Sequence, residues 1–576
     1  MTSPLTPALS PQTGRGGRSG MSDRHFAFWP KGHPRSMSVP ATSVFYNAKV
    51  SATRYPDKPY LIFYDTPVSF AEFRDEAECL AGWLQKECGV KKGDRVLLFM
   101  QNSPQYVVGY YGILRADAVV VPVNPMNLTN ELRHYVQDSG AAVALVAQDL
   151  YAQMAPLLGE GLQHILVAAY SDYLKRPTDL AVPEFVAAPR RDIRDAGVTL
   201  WRDALARGLR PGPSTAGPDD LCVMPYTSGT TGQPKGCMHS HRTVMHTLIA
   251  GEYWFSSKPD LVRLAVLPFF HVTGMQNSMS GPLFTGATVV LLPRWDREAA
   301  ARLIARYKVG AWTSIPTMVV DFLANPRLGE HDLSSVQRMS GGGAAMPEAV
   351  AQKLIDTLGV TFAEGYGLTE TMAPTHINPP ERAKKQCLGI PIYDVDSRVV
   401  DADFRELPPG EAGEIVTCGP QVFLGYWNNP QATAAAFVEI DGKRFFRTGD
   451  IGRIDADGYF FMVDRAKRMI NASGFKVWPA EVEALLYGHP AIQEACVIGA
   501  KDAHRGETVK AIVVIKEAQR GKVGGQDIVD WARANMAAYK TPRIVEIVDA
   551  LPKSATGKIM WRALQEKEQA GAASAA

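Results

Sequence analysis

Four short runs constrain this chain more than any other feature: DRVLLFM (94–100), AVVVPVN (118–124), AAVALVA (141–147) and TVVLLP (288–293). They are rich in Val, Ala and Leu, too uniformly apolar for one face to meet water, and read as buried parallel strands. Between such runs lie segments that read as amphipathic helices, among them SFAEFRDEAECLAGWLQKE (69–87) and SPQYVVGYYGILRA (103–116). Alternation of strand and helix from about Ser38 to Leu292 predicts a layered α/β architecture. No repeat of fixed period is visible.

The pattern changes after about Gln386. Glycine and proline become frequent and strands shorten, as in SRVVDADFRELPPGEAGEIVTCG (397–419) and GRIDADGYFFMV (452–463), which predicts an antiparallel, barrel-like subdomain. Beyond Asp464 comes a compact α+β set: helix PAEVEALLYGH (479–489), strands EACVIGA (494–500) and VKAIVVIKE (509–517), then a helix around QDIVDWARANM (526–536). The expected organisation is α/β, with a large N-terminal domain over 38–466 of layered α/β subdomains plus the barrel-like one. A small C-terminal domain over 467–566 follows. Residues 1–37 read as a disordered extension, Met1–Gly20 being rich in Ser, Thr, Pro and Gly, with Met21 a candidate natural start. Residues 567–576 read as a frayed tail.

Charge and cysteines remove several classes of function. Sixty-one basic against 59 acidic residues leave a formal net charge of +2, so no polyanionic partner is implied and nucleic-acid binding has no support. The seven cysteines show no CxxC spacing, which suggests neither a zinc site nor a disulfide framework and fits a reducing cytoplasm. No apolar run approaches the ~20 residues that span a bilayer, and the N-terminus lacks an apolar signal core.

The stretch YTSGTTGQPKG, Tyr226 to Gly236, has the chemistry of a phosphate cradle: glycines, hydroxyls and one lysine. It is not a Walker A loop, because proline precedes Lys235 and glycine follows it. What remains is a glycine loop with Thr227, Ser228, Thr230 and Thr231 as hydroxyl donors and backbone N–H groups free to face anions. A surface turn has the same composition. Placement after the strand-like LCVMPY and before a helix from Arg242 favours the phosphate reading.

This stretch resembles the signature of the adenylate-forming superfamily: acyl-CoA synthetases, nonribosomal adenylation domains and beetle luciferases. The resemblance runs from about Ser38 to Leu564, because PFFHVTG, SGGGAAMP, EGYGLTET, FRTGD, DRAKRMINASGFKV and PKSATGK follow in the family's order. It implies that a carboxylate attacks the α-phosphate of ATP, pyrophosphate leaves, and the acyl-adenylate passes to a thiol. Both first reactants are anions, so positive charge, backbone N–H groups and Mg²⁺ must offset their repulsion.

Roles follow from the same resemblance. Thr227, Ser228, Gly229, Thr230, Thr231 and Gly232 would hold the leaving pyrophosphate with Lys235 assisting. Gly341, Gly342, Gly343 and Ala344 would let backbone approach a flat ligand. Glu364, Gly365, Tyr366 and Gly367 would line the nucleotide, Tyr366 stacking on adenine. Thr369 would bond the α-phosphate, and Glu370, with Thr230, would ligate Mg²⁺, a hard oxygen ligand for a hard cation. Asp450 would accept from the ribose hydroxyls, with Arg465 beside it. Lys558 would reach the carboxylate oxygen and the α-phosphate, and His271 would gate and orient. The small domain would be mobile, turning about Lys467 so that Lys558 serves adenylation and then withdraws, with Gly474 lining the coenzyme A channel.

The acid would lie among Val272, Gly274, Met275, Ile315, Met318, Leu368 and Met372. No Asp or Lys is visible there to pair with an ammonium or a second carboxylate, so an apolar acid is expected, medium- or long-chain fatty or aryl. ATP, Mg²⁺ and coenzyme A are the implied cofactor and co-substrates. A carrier-protein thiol is the alternative acceptor, and a silent nucleotide-binding protein the alternative class. Peripheral membrane contact and a homodimer stay open.

Overall fold

A computed structural model of the chain describes residues 21–227, 233–465, 468–472, 475–502, 506–554 and 557–574. Among these residues, all four apolar runs are parallel strands, but they divide between two nine-stranded sheets. Arg95–Phe99, Val119–Pro122 and Val143–Ala147 lie together, continued by His164–Ala168 and Val198–Leu200 on one side. On the other side Leu221–Val223 pairs in parallel and Lys235–Ser240 antiparallel. Thr288–Leu291 lies in the second sheet, between Pro59–Phe63 and Val262–Ala265. There Ala311–Ser314, Arg338–Gly342 and Phe362–Tyr366 extend the parallel run.

The helices fill the space between and around the sheets. Phe70–Lys86 begins at a capping box in which the Ser69 hydroxyl accepts from Glu72 N–H and the Glu72 carboxylate from Ser69 N–H. A cap of this kind stabilises a helix by ~1 kcal/mol. Its buried face carries Phe73, Ala77, Leu80 and Leu84, as an amphipathic helix should. The second helix, Pro104–Arg115, is not amphipathic as its sequence suggested: Pro104 through Leu114 are all buried. The reason is its place between Leu98 of a central strand, which Gly109 faces, and Leu80 of the preceding helix, which Gly112 faces. One apolar core then runs from Val96 and Leu98 of one sheet to Val289 and Trp312 of the other.

The barrel-like region is a five-stranded antiparallel sheet of Asp396–Val400, Gly413–Cys418, Phe437–Ile440, Lys443–Ile454 and Phe460–Arg465. Register shifts at Glu414/Val416 and Ile451/Gly452 mark bulges, which bend such sheets. The small C-terminal region has its own core, with Ile470, Val482, Leu486, Val497, Val513 and Ile528 packed together.

The expectations for the two ends, a disordered 1–37 and a frayed 567–576, need correction over 21–37 and past 566; residues 1–20 and 575–576 lie outside the described residues. Residues 21–37 are ordered: Met21–Phe28 is a 3₁₀ helix, and Trp29 meets Trp254 and Tyr393 edge-on at 4.8 and 5.4 Å. The Ala27 carbonyl accepts from Arg382 at 2.7 Å. Burial of aromatic surface outweighs the cost of ordering this polar segment. At the other end the helix Trp561–Ser574 runs past residue 566, and Glu568 pairs with Lys510 at 2.6 Å.

Candidate active site

The phosphate-type loop is anchored at both ends. Tyr226–Thr227 pairs with Lys235–Gly236, the Tyr226 hydroxyl donates to Asp138 at 2.6 Å, and His134 Nε2–H donates to the Pro234 carbonyl at 2.7 Å. Thr227 and Lys235 are therefore directly opposite each other. Ser228, Gly229, Thr230, Thr231 and Gly232 lie outside the described residues.

The strand Lys235–Ser240 leads from this loop to the turn that carries Thr369 and Glu370. Successive side chains of a strand alternate between faces, and Lys235, Cys237 and His239 share one. Lys235 sits over the Tyr426 ring, 4.8 Å from its centre. The Tyr426 hydroxyl donates to Glu370 Oε1 at 2.9 Å, and Phe423 N–H donates to the Glu370 carbonyl at 2.8 Å. Burial first, then the Glu370 charge, holds the Cys237 thiol well above its usual pKa, so it stays neutral. His239, fully buried, donates from Nε2 to the Thr369 carbonyl at 2.8 Å. His239 belongs to none of the sequence motifs, although strand alternation counted from Lys235 places it on this face.

A second cluster forms where Phe362–Tyr366 ends. Tyr366 donates its hydroxyl to Asp450 Oδ2 at 2.7 Å. Asp450 in turn stands opposite Arg465 in the antiparallel ladder. The structure thus brings Tyr366, Asp450 and the Arg465 backbone together. The Glu364 carboxyl accepts N–H bonds from Met346 at 3.2 Å and Gln386 at 2.9 Å. Burial pushes its pKa up to about 8 against those amide bonds. The group braces three chain segments through these amides.

The glycine run also divides. A Cβ on Gly341 would stand 1.8 Å from the Ser314 carbonyl, and one on Gly342 2.2 Å from that of Gly365. At these two glycines the missing side chain admits the neighbouring strands. Gly343, with φ +85°, is the member that faces the C-terminal region: its Cβ would stand 2.6 Å from Lys558 Cε. Ala344 follows it, exposed. Lys558 is brought there by a turn in which Ser554 N–H bonds the Lys558 carbonyl at 2.8 Å, while Thr317 donates to the Gly557 carbonyl at 3.2 Å.

His271 lies near enough to Lys558 for charge to act on it. Its Nδ1 accepts the Thr273 N–H at 3.3 Å, which leaves the ring proton on Nε2. Burial, with the Lys558 charge adding, lowers its pKa to about 3. It is neutral at physiological pH.

Of the residues expected around the acid, Val272, Met275 and Met372 are buried, Ile315 and Met318 nearly so, and Leu368 partly exposed. Ile315 packs against the Gly557 turn that delivers Lys558. At Gly274 the missing side chain admits the Pro268 carbonyl, 2.3 Å from where a Cβ would be. Lys467 and Gly474, the implied hinge and channel residues, lie outside the described residues. No helix among the described residues is long and apolar enough to cross a membrane.

Known proteins match the chain along most of its length. The AMP-binding enzyme family matches residues 48–427, and the AMP-binding enzyme C-terminal domain matches 481–558. A long-chain-fatty-acid–CoA ligase of Bacillus subtilis (strain 168) is 35% identical over 553 residues, covering 94% of this chain and 97% of its own. A feruloyl-CoA synthase of Amycolatopsis sp is 33% identical over 86% of this chain and 93% of its own. Among solved structures, the anthranilate CoA ligase AuaEII in complex with anthranoyl-AMP superposes with a TM-score of 0.80 at 27% identity, covering 94% of this chain and 99% of that one. The chain therefore belongs to the AMP-binding enzyme family and is an adenylate-forming acyl-CoA synthetase, an AMP-forming acid–thiol ligase.

Proposed function

We propose that the enzyme activates a medium- or long-chain fatty acid with ATP, releasing pyrophosphate, and transfers the acyl group to coenzyme A, giving acyl-CoA and AMP. The observation that carries the reading is Lys558 against Gly343 and beside neutral His271, at the end of a turn seated on Ile315 and Thr317. Lys558 would meet the acid's carboxylate oxygen and the α-phosphate and draw the two anions together. Thr369 would hydrogen-bond the α-phosphate, and Thr227 with Lys235 would hold the leaving pyrophosphate. Tyr366 and Asp450, already joined, would seat adenosine, with Arg465 adjacent. His271, neutral in this setting, would gate and orient rather than exchange protons.

For Mg²⁺, Glu370 would offer a hard carboxylate oxygen from a buried position, clamped by Tyr426. When bound, the ion would offset charge on the phosphates. Thr230 is the other ligand proposed for it.

The fatty-acid assignment rests on the buried apolar group Val272, Met275 and Met372 and on the fatty-acid ligases among the relatives. The aryl-acid ligases among relatives and structural neighbours make an aryl acid the second reading. Pyrophosphate release and thioester formation, measured over a panel of saturated acids of increasing length beside benzoate and hydroxycinnamates, decide between them. Highest kcat/KM on fatty acids supports the proposal; highest kcat/KM on an aryl acid replaces it.

A further inference from the structure

The turn that presents Thr369 and Glu370 is closed by its own bonds to Leu368 and is tied to the rest of the fold by a few more. It is one 3₁₀ turn, Thr369–Thr371, and the chain then enters left-handed conformations at Met372 (φ 51°) and Ala373 (φ 26°). The Thr369 carbonyl accepts from Met372 N–H within the turn at 3.2 Å, and its second lone pair takes the His239 Nε2–H at 2.8 Å. On the far side of the ring, Nδ1 lies 3.2 Å from the Thr243 hydroxyl. Because a carbonyl only accepts, Nε2 carries the proton; the one Thr243 hydroxyl proton is shared between Nδ1 and the Ser240 carbonyl, which lies 2.9 Å from that oxygen. Burial keeps the ring neutral, its pKa lowered to about 4.

His239 also stands on the strand that begins at the phosphate-type loop. That strand pairs with Tyr226–Thr227 at Lys235 and Gly236, and with Gly425–Tyr426 at Cys237 and Met238. Two of its same-face side chains make contact at its two ends, Lys235 with the Tyr426 ring and His239 with the Thr369 carbonyl. The strand is a strut between the loop's anchor and the Thr369–Glu370 turn, and the imidazole is its contact at the far end. An apolar side chain there would leave a buried carbonyl lone pair unpaired and the turn held from the Tyr426 side alone.

We propose that His239 is a positioning residue for nucleotide binding: by donating to the Thr369 carbonyl it sets the height of the Thr369–Glu370 turn against the strand Lys235–Ser240 and the Thr227–Lys235 pair at its start. This rests on the reading of Thr369 and Glu370 given above.

The test is calorimetric binding of a non-hydrolysable ATP analogue, with and without Mg²⁺, beside steady-state kinetics and thermal melting. His239→Leu is expected to raise the Kd with Mg²⁺ and the ATP KM about 5- to 20-fold, the scale of one lost buried hydrogen bond, with a smaller change in the KM for the acid. His239→Gln, whose amide nitrogen can occupy the place of Nε2, is expected to recover binding to within about 3-fold. Thr243→Val strips the hydroxyl from Nδ1 without removing the ring and is the second variant, expected to weaken binding in the same direction; because that hydroxyl also bonds the Ser240 carbonyl, binding is compared at a temperature where melting shows both proteins folded. Glu370→Gln is the control for the underlying reading. Loss of Mg²⁺-dependent binding in Glu370→Gln, with unchanged binding in both His239→Leu and Thr243→Val, overturns the His239 proposal alone. Unchanged Mg²⁺-dependent binding in Glu370→Gln overturns the reading beneath it.

Discussion

The Tyr366 hydroxyl donates to the Asp450 carboxylate at 2.7 Å, with both residues buried, and so joins the end of a parallel strand to the antiparallel sheet. Removing the hydroxyl takes one donor from the Asp450 carboxylate in a place with little water, a loss of ~1–3 kcal/mol. Tyr366→Phe is therefore expected to raise the ATP KM by about 5- to 50-fold, with kcat for the bound complex less affected. Initial-rate kinetics at varied ATP check this. An unchanged KM would show that the pair does not shape the adenosine seat.

Lys558 and Gly343 make a paired prediction. Lys558→Ala is expected to slow acyl-adenylate formation by about 10²–10³-fold, the usual loss for a group that stabilises developing charge. Thioester formation from supplied acyl-adenylate is expected to persist. Gly343→Ala places a Cβ against Lys558 Cε at a positive φ, so it is expected to give the same split at smaller size. Single-turnover assays of each half-reaction measure both. Equal loss in the two halves would remove Lys558 from its assigned role.

Glu364 supplies a pH test of stability. Burial raises its folded-state pKa to about 8, above the unfolded carboxyl, so the folded state binds this proton more tightly. Its contribution is complete below about pH 4.5 and is lost progressively up to about pH 8, on the order of a few kcal/mol in total. Glu364→Gln, which cannot ionise, is expected to flatten the fall in melting temperature over that window. Parallel melting curves from pH 5 to 8.5 for both proteins check it; equal slopes would exclude Glu364 as the source.

Trp29 tests the unexpected order of the N-terminal segment. Its ring meets Trp254 and Tyr393, and Trp→Ala at a buried site costs about 3–5 kcal/mol. Trp29→Ala is expected to lower the melting temperature by several degrees, with Trp29→Phe between it and the parent. No change in either would mean that the segment contributes little to the fold.

Local pattern determined much of this protein. The four apolar runs are strands because a chain so uniformly apolar must bury both faces. The motif residues Thr227, Tyr366, Thr369, Glu370, Asp450 and Lys558 sit on turns and strands that their own motifs build, since each motif is short enough to set its local backbone. Tertiary structure decided what depends on distant partners. Thr288–Leu291 joins a different sheet from the other three runs, because crossover connections choose a parallel strand's neighbours. Pro104–Arg115 is buried all round because Leu80 and Leu98 close on both its sides. Gly341, Gly342 and Gly274 serve the approach of backbone carbonyls, which no glycine spacing reveals. Glu364 is taken up by the amides of Met346 and Gln386, and His239 acquires its carbonyl 130 residues along the chain. Sequence carries local propensity and the chemistry of each side chain; the partner that gives a buried polar group its role comes from the fold, because an unpaired one there is too costly to keep.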